Sequence, residues 1–255
     1  MTRVATLMYS IEKVVVQECI NSQYIRPFRL SYNQDGKQKK WDLMKSHDSV
    51  AILIHHVERD SMLFVRQFRP AVFFNRAYKV KDGMIVPPVG TAIDGDTDLG
   101  FTLELCAGIV DKDKSLEEIA AEEVHEECGF KVPCEQMKKV AVFRTGLGTT
   151  GSEQTLFYTE VTEAMRDTMG GGNPSELEMI ETVEVPLARL RDVVFDENLS
   201  KASGFAFAIM WFLKERYRPR IVEVFYRNTL EIGLISSGIS LVAVLTSLAI
   251  WRLLT

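Results

Sequence analysis

The stretch "GIVDKDKSLEEIAAEEVHEECGF", Gly108–Phe130, brings three carboxylates, Glu123, Glu126 and Glu127, within one turn of a helix. Ser115 followed three residues later by Glu118 forms a capping box, and Gly129 supplies a left-handed stop. The spacing therefore predicts a helix from Leu116 to Cys128. Like charges at i, i+3 and i+4 repel, and the C-terminal end of a helix is already negative. At about 100° per residue, Leu116, Ile119 and Ala120 fall within about 60° of Glu123. Glu127 falls near 40°, with Glu126 about 60° away on the other side. Glu117, Glu118, Ala121, Glu122, His125 and Cys128 take the opposite half. The trio thus continues the stripe that points into the core. Unpaired ionised carboxylates there would protonate unless a cation joined them. Oxygen-only donors on a stiff element suit Mg²⁺ or Mn²⁺ before zinc.

Strands dominate the chain around this helix. "YIRPFRLSYNQDGKQKKWDLMK", within residues 24–45, reads as a hairpin about Asp35-Gly36, a type I′ turn signal. "SVAILIHHV" and "SMLFVRQF" are apolar strands joined by "ERD", and "TLELCAG" is a short strand entering the helix segment. "KKVAVFRT", "EQTLFYTEVT" and "MIETVEVPL" are further strands. Phe74 to Gly100, rich in Gly, Pro and Asp, reads as an extended loop, and "TMGGGNPSE" as a flexible one. Helices are expected near Leu187–Val194 and Ala202–Tyr217. Strands and helices do not alternate regularly, which disfavours a doubly wound parallel sheet.

Composition narrows the function. The 255 residues are 46% hydrophobic and 25% charged, the balance of a globular protein. A net charge of -5 leaves no basic footprint for nucleic acid. Cys19, Cys106, Cys128 and Cys134 form no CxxC pair, which fits a reducing compartment and argues against a zinc ribbon. No secretory signal is expected at the N-terminus. Ile232–Ile250 runs nineteen residues without a charge, about 28 Å as a helix. Arg216, Arg218, Arg220 and Arg227 precede it, and a richer basic flank stays cytosolic. The chain accordingly divides into a domain over residues 1–220, a basic linker over 221–231 and a transmembrane tail anchor over 232–254. That organisation places it on the cytosolic face of an intracellular membrane, and otherwise in the cytoplasm.

Gly108 and then Glu123-Val124-His125-Glu126-Glu127-Cys128-Gly129-Phe130 resemble the Nudix box: Gly, five residues, Glu, seven residues, Arg-Glu-aliphatic-any-Glu-Glu-any-Gly-aliphatic. Two charged positions depart from it. Lys114 stands where the box has Glu, and Glu122 where it has Arg. The family residues form a structural pair, so the expectation is a salt bridge with its charges exchanged. "WDLMKSHDSVAILI", "VRQFRPAV", "ELCAGIVD" and "TGLGTTGSEQTLFYTEV" extend the resemblance to the ADP-ribose pyrophosphatase-like branch, over roughly Tyr24 to Tyr217.

The resemblance implies an α/β/α sandwich around a mixed β-sheet, Mg²⁺ dependence, and a homodimer with an exchanged N-terminal part. It implies hydrolysis of the pyrophosphate bond of nucleoside-diphosphate sugars, with UDP-sugars ahead of ADP-ribose. A non-catalytic membrane-tethered scaffold is the alternative from another class. By the same likeness Glu123 and Glu127 are the principal metal ligands, joined by Glu126 and the Ala107 carbonyl oxygen. Glu178 in "GGGNPSELEMIETV" best matches the general base, with Glu176 and Glu153 as other candidates. Arg69 and Arg66 could grip phosphates through bidentate guanidinium geometry. Glu104 could orient substrate or metal-bound water, and Trp41 could stack on the base.

Overall fold

Val50–Ile54 is apolar at every position, the pattern of a strand covered on both faces, and these five residues are all 2% exposed or less. They lie in the middle of a seven-stranded sheet. The computed structural model describes residues 25–81, 84–86 and 97–217, with residues 11, 14, 19, 21 and 22. The chain divides into two compact units, Met1–Ile209 and Met210–Thr255, and the sheet belongs to the first.

The strands are β1 (Pro27–Gln34), β2 (Lys37–Met44), β3 (Ser49–His56), β4 (Ser61–Phe68), β5 (Lys79–Lys81), β6 (Met84–Val86), β7 (Phe101–Glu104), β8 (Cys106–Ile109), β9 (Lys138–Thr145), β10 (Ser152–Val161) and β11 (Glu181–Pro186). The main sheet runs β11-β4-β3-β10-β9, with β7 added to β4 and β8 to β3. β10 runs parallel to β3, while the other pairs are antiparallel, so the sheet is mixed as expected.

The helices are α1 (Pro70–Ala77), α2 (Leu116–Cys128), α3 (Leu190–Phe195) and α4 (Ser203–Glu215). α2 covers one face. Its Ile119, Ala120, Val124 and Cys128 join Val50, Ile52, Ile54, Leu63, Val65 and Phe157 in one core cluster. On the other face Phe205, in the first turn of α4, meets Phe64 with ring centroids 4.7 Å apart. Helix on both faces of a mixed sheet gives the α/β/α layering.

The hairpin forms as its sequence dictates. Gln34 pairs with Lys37, and both turn residues have positive φ, Asp35 at 50° and Gly36 at 75°. It makes a sheet of its own, separate from the main one.

Two expectations change. The stretch from Phe74 was expected to be loop, yet its start belongs to α1. Pro70 at the first helical position fixes φ in the helical range. Phe73 and Ala77 are then buried with Tyr78, against Phe68, Phe74 and Leu99. Apolar contact decided this short helix, and the later Gly and Pro content masked it. Residues 82–83 and 87–96 lie outside the described residues, as does the segment 232–254 read as a tail anchor. Among the described residues no helix is long and apolar enough to cross a membrane.

The second change concerns the glycine-rich loop, which was expected to be flexible and is pinned. Gly170, Gly171 and Gly172 have φ of 70°, 117° and 90°, a run that L side chains rarely adopt. Their backbone folds onto the end of α2, and Ile180 closes the segment as a core residue.

Candidate functional site

α2 begins and ends as the sequence requires. Ser115 Oγ accepts from the Glu118 amide at 3.2 Å, and Glu118 Oε2 accepts from the Ser115 amide at 2.8 Å. Gly129, at φ 80°, turns the chain out of the helix.

The buried stripe is rotated from the one expected. It comprises Ile119, Ala120, Val124, Glu127 and Cys128, and so centres nearer Ala120 and Glu127 than Glu123. Cys128, assigned to the outer half, is fully buried, because the core reaches as far as Phe130 and Val132. Of the acidic trio only Glu127 is buried; Glu123 and Glu126 border the stripe and are half-buried.

Glu127 is 2% exposed. Its Oε2 accepts from the Ala107 amide at 3.1 Å, tying α2 to β8. Burial pushes its carboxyl up to about 8; hydrogen bonds from Cys106 and Ala107 oppose the rise, and the charges of Glu123 and Glu178 add to it. Glu123 packs directly over Gly108. A Cβ built on that glycine would lie 2.0 Å from Glu123 Oε1 and 2.6 Å from its Cγ.

The glycine loop relieves the crowded negative helix end. The Gly171 amide donates to the Glu127 carbonyl at 3.0 Å, and the Gly172 amide to the Glu126 carbonyl at 3.1 Å. The Thr182 hydroxyl also donates to the Glu127 carbonyl, at 3.2 Å. Carbonyls that would otherwise lack partners are thereby satisfied. The same loop carries Glu178, whose Oε2 accepts from the Asn173 amide at 3.0 Å. Neither this clamp nor the Asn173 support could be found by motif spacing, since both use main-chain groups; the glycine triplet was their only sequence signal.

Arg69 faces this group. Its Nε and Nη2 donate to Glu104 Oε1 and Oε2 at 2.8 and 2.7 Å, a bidentate fork. The guanidinium pKa is raised by that fork first; burial opposes it, and the Glu127 and Glu178 charges add. Burial raises Glu104, but Arg69 and the Thr102 hydroxyl outweigh it and hold its carboxyl below the usual range. The two residues were singled out separately by sequence; their pairing required β4 and β7 to be adjacent, with Val65 opposite Glu104.

Other candidates have different surroundings. Arg66 is mostly buried, 3.4 Å from Glu181 and with its guanidinium 4.7 Å from the Phe101 ring centre. Those contacts fasten β4 to β11 and β7. Glu153 pairs with Arg144 at 2.8 Å across β9 and β10. Trp41 lies on β2, half exposed, and its indole N–H donates to the Gly148 carbonyl at 2.9 Å. It is therefore a surface residue of the hairpin, not core.

Comparison with known proteins locates this arrangement. No family model matches the chain. Uridine diphosphate glucose pyrophosphatase NUDT14 of Bos taurus is 41% identical over 213 residues, 80% of this chain and 95% of the relative. The Mus musculus protein of the same name is 40% identical over 219 residues, covering 82% and 96%. GDP-mannose pyrophosphatase of Cronobacter sakazakii is 26% identical over 187 residues, covering 71% and 85%.

The chain belongs to the Nudix hydrolases.

Its place is in the ADP-ribose pyrophosphatase-like branch, whose members are hydrolases acting on pyrophosphate bonds. A crystal structure of an ADP compounds hydrolase shares the fold, with a TM-score of 0.55 at 16% identity, covering 82% of this chain and 99% of that one. The departure of this Nudix box from the usual pattern also has a structural answer. The Lys114 ammonium bonds Glu122 Oε1, so the bridge exists with its charges exchanged. It pulls the Glu122 carboxyl below its usual range.

The donor set suits the cation the Nudix family implies. Three carboxylates and a main-chain carbonyl are hard oxygen donors, the kind Mg²⁺ and Mn²⁺ take. Among the described residues no three His, Cys, Asp or Glu side chains close into a formed cage, and Glu127 turns instead to the Ala107 amide. The residues fit the ion by the chemistry of their oxygen donors.

The exchanged bridge predicts a compensating pair. Lys114→Glu sets two carboxylates against each other and should lower turnover about tenfold, by loosening the loop between β8 and α2. Adding Glu122→Arg restores the family's polarity and should recover most of that loss. Steady-state kinetics of both variants checks it; additive losses would reject the bridge as the reason.

Proposed function

We propose that this chain is a nucleotide-sugar diphosphatase that hydrolyses UDP-glucose to UMP and glucose 1-phosphate with Mg²⁺, or Mn²⁺ in its place. The observation that carries the proposal is the buried Glu127 carboxyl, pushed up to about 8 with Glu123 and Glu178 nearby and the Arg69–Glu104 fork facing it. A dinegative diphosphate cannot approach such a cluster unaided. Glu123, Glu126, Glu127 and the Ala107 carbonyl oxygen would hold the ion. When bound it supplies charge neutralisation and a lowered pKa for water.

The chain's own residues do the rest. Arg69, its Nε and Nη2 held by Glu104, offers Nη1 to a phosphate oxygen. Glu178 is the base that takes the proton as water oxygen bonds to phosphorus and the bridging P–O bond breaks. Its carboxylate is already placed by the Asn173 amide. The Asn173 amide and the glycine triplet support Glu178 in this role.

UDP-glucose is favoured over ADP-ribose and GDP-mannose by the names of the 40–41% identical relatives. A Mg²⁺-dependent assay comparing UDP-glucose, ADP-ribose and GDP-mannose tests the assignment. A highest kcat/KM for UDP-glucose supports it, a different preferred substrate transfers the activity to that diphosphate, and no turnover of any overturns it.

Two further features belong to the proposal. Phe28, Leu30 and Trp41 of the hairpin are each more than half exposed, which supports a homodimer joined through this N-terminal part. The uncharged run Ile232–Ile250 supports a membrane span with the catalytic domain on the cytosolic face. Fractionation of cells expressing the chain with and without residues 228–255 tests the span, and sedimentation of the truncated form tests the dimer.

A further inference from the structure

Glu122 receives two cations. Lys114 bonds its Oε1, and Lys112 Nζ lies 3.4 Å from its Oε2. The closer ammonium, Lys114, makes the exchanged bridge, and Lys112 is a second, looser partner of the same carboxylate. Where the family pattern has one cation on the helix and one anion on the loop, this chain has two cations on the loop between β8 and α2, Lys112 and Lys114, alternating with Asp111 and Asp113. Position matters here. Glu122 and Glu126 are i and i+4 on α2, neighbours one turn apart at about 6 Å between Cβ atoms. Glu123 is next to Glu122 in the chain. An ammonium held on Glu122 therefore stands at the border of the carboxylates proposed to bind metal.

We infer that Lys112 is a tethered counter-cation for Glu123 and Glu126, which competes with the divalent ion and sets the site's metal affinity. This rests on the metal reading above. The contact with Glu122 is long and 42% of the lysine side chain is exposed, so the ammonium is loosely held and can withdraw as an ion enters. Its pKa supports the placement: burial lowers it, but Glu122, Glu126 and Glu123 together raise it above the ordinary value. Lys114, bonded closely to Glu122, keeps the loop on the helix whether or not Lys112 is in place. Tuning of affinity and anchoring of the loop are thus divided between two lysines.

The test is the binding of Mn²⁺ alone, followed by calorimetry and by the electron paramagnetic resonance of free Mn²⁺, with no nucleotide present. Lys112→Gln should bind Mn²⁺ roughly three- to tenfold more tightly than wild type, from the loss of one unit positive charge that repels the dication in a water-like dielectric. Lys112→Arg should restore wild-type affinity. The gap between wild type and Lys112→Gln should narrow as salt rises from about 0.01 to 1 M, because the interaction is exposed and screened. Unchanged or weaker Mn²⁺ binding in Lys112→Gln overturns the inference. A raised KM for UDP-glucose with unchanged Mn²⁺ affinity overturns it too, and makes Lys112 a phosphate contact. Failure of wild type to bind Mn²⁺ at all removes the metal reading itself, and this inference with it.

Discussion

Glu127→Gln should remain folded and lose turnover by on the order of 10³-fold. The amide oxygen that replaces Oε2 still accepts from the Ala107 N–H, so the tie between α2 and β8 survives. What disappears is the carboxylate that, on the metal reading proposed above, would give up its proton to hold a divalent ion. The same variant has a second readout that needs no substrate. In the metal-free wild type the Glu127 carboxyl is pushed up to about 8 by burial, against about 4.3 in an unfolded chain. Between those values the folded state holds a proton that the unfolded state has released. The contribution of this group to stability is therefore complete below about pH 4 and is lost as pH rises toward 8. The slope is at most about 1.4 kcal/mol per pH unit. Glutamine does not titrate, so in a chelator Glu127→Gln should lack this slope and exceed wild type in stability at pH 8 by a few kcal/mol. Denaturant midpoints at pH 5.5, 7 and 8.5 check it. Parallel pH profiles in the two proteins would mean that the carboxylate titrates like an exposed one.

Much of the architecture was legible because it depends on local chemistry. The Asp35-Gly36 turn, the Ser115–Glu118 capping box and the Gly129 stop each use residues a few positions apart, and each forms as expected. The alternating and continuous apolar runs marked β3, β4, β9 and β10 for the same reason. What sequence did not reveal depends on distant segments meeting. The rotation of the α2 stripe follows from how far the core extends beneath Cys128 and Phe130, which periodicity within one helix cannot report. The Arg69–Glu104 fork needs two strands thirty-five residues apart to be neighbours. The glycine triplet was visible, but its partners are carbonyls of Glu126 and Glu127, and main-chain groups leave no residue signature. Arg66 shows the converse. A basic residue in "VRQFRP" is chemically fit to hold phosphate, yet Glu181 and the Phe101 ring engage it.

Two glycines should separate site geometry from stability. In Gly108→Ala the new methyl would fall 2.0, 2.1 and 2.6 Å from Glu123 Oε1, Cδ and Cγ. Those atoms belong to a half-buried side chain that can swing into solvent, so the protein yields by displacing Glu123. Turnover should fall by on the order of 10²-fold, as misplacement of about 1 Å at a positioned group does. Stability should change by less than about 1 kcal/mol, because no core contact is lost. In Gly170→Ala the methyl would meet the Glu127 carbonyl oxygen at 2.3 Å and its carbon at 2.8 Å, both main chain, at a φ of 70°. Neither obstacle can swing away. The loop must lift from the end of α2, breaking the Gly171 and Gly172 bonds to Glu127 and Glu126. A loss of about 2–4 kcal/mol follows from the strained backbone and the orphaned carbonyls, with activity falling alongside it. Thermal denaturation and kcat measured on both variants distinguish the two mechanisms. If Gly108→Ala lost stability and kept its rate, Glu123 would be a structural residue, and the acidic edge of α2 would have to grip its ion without it.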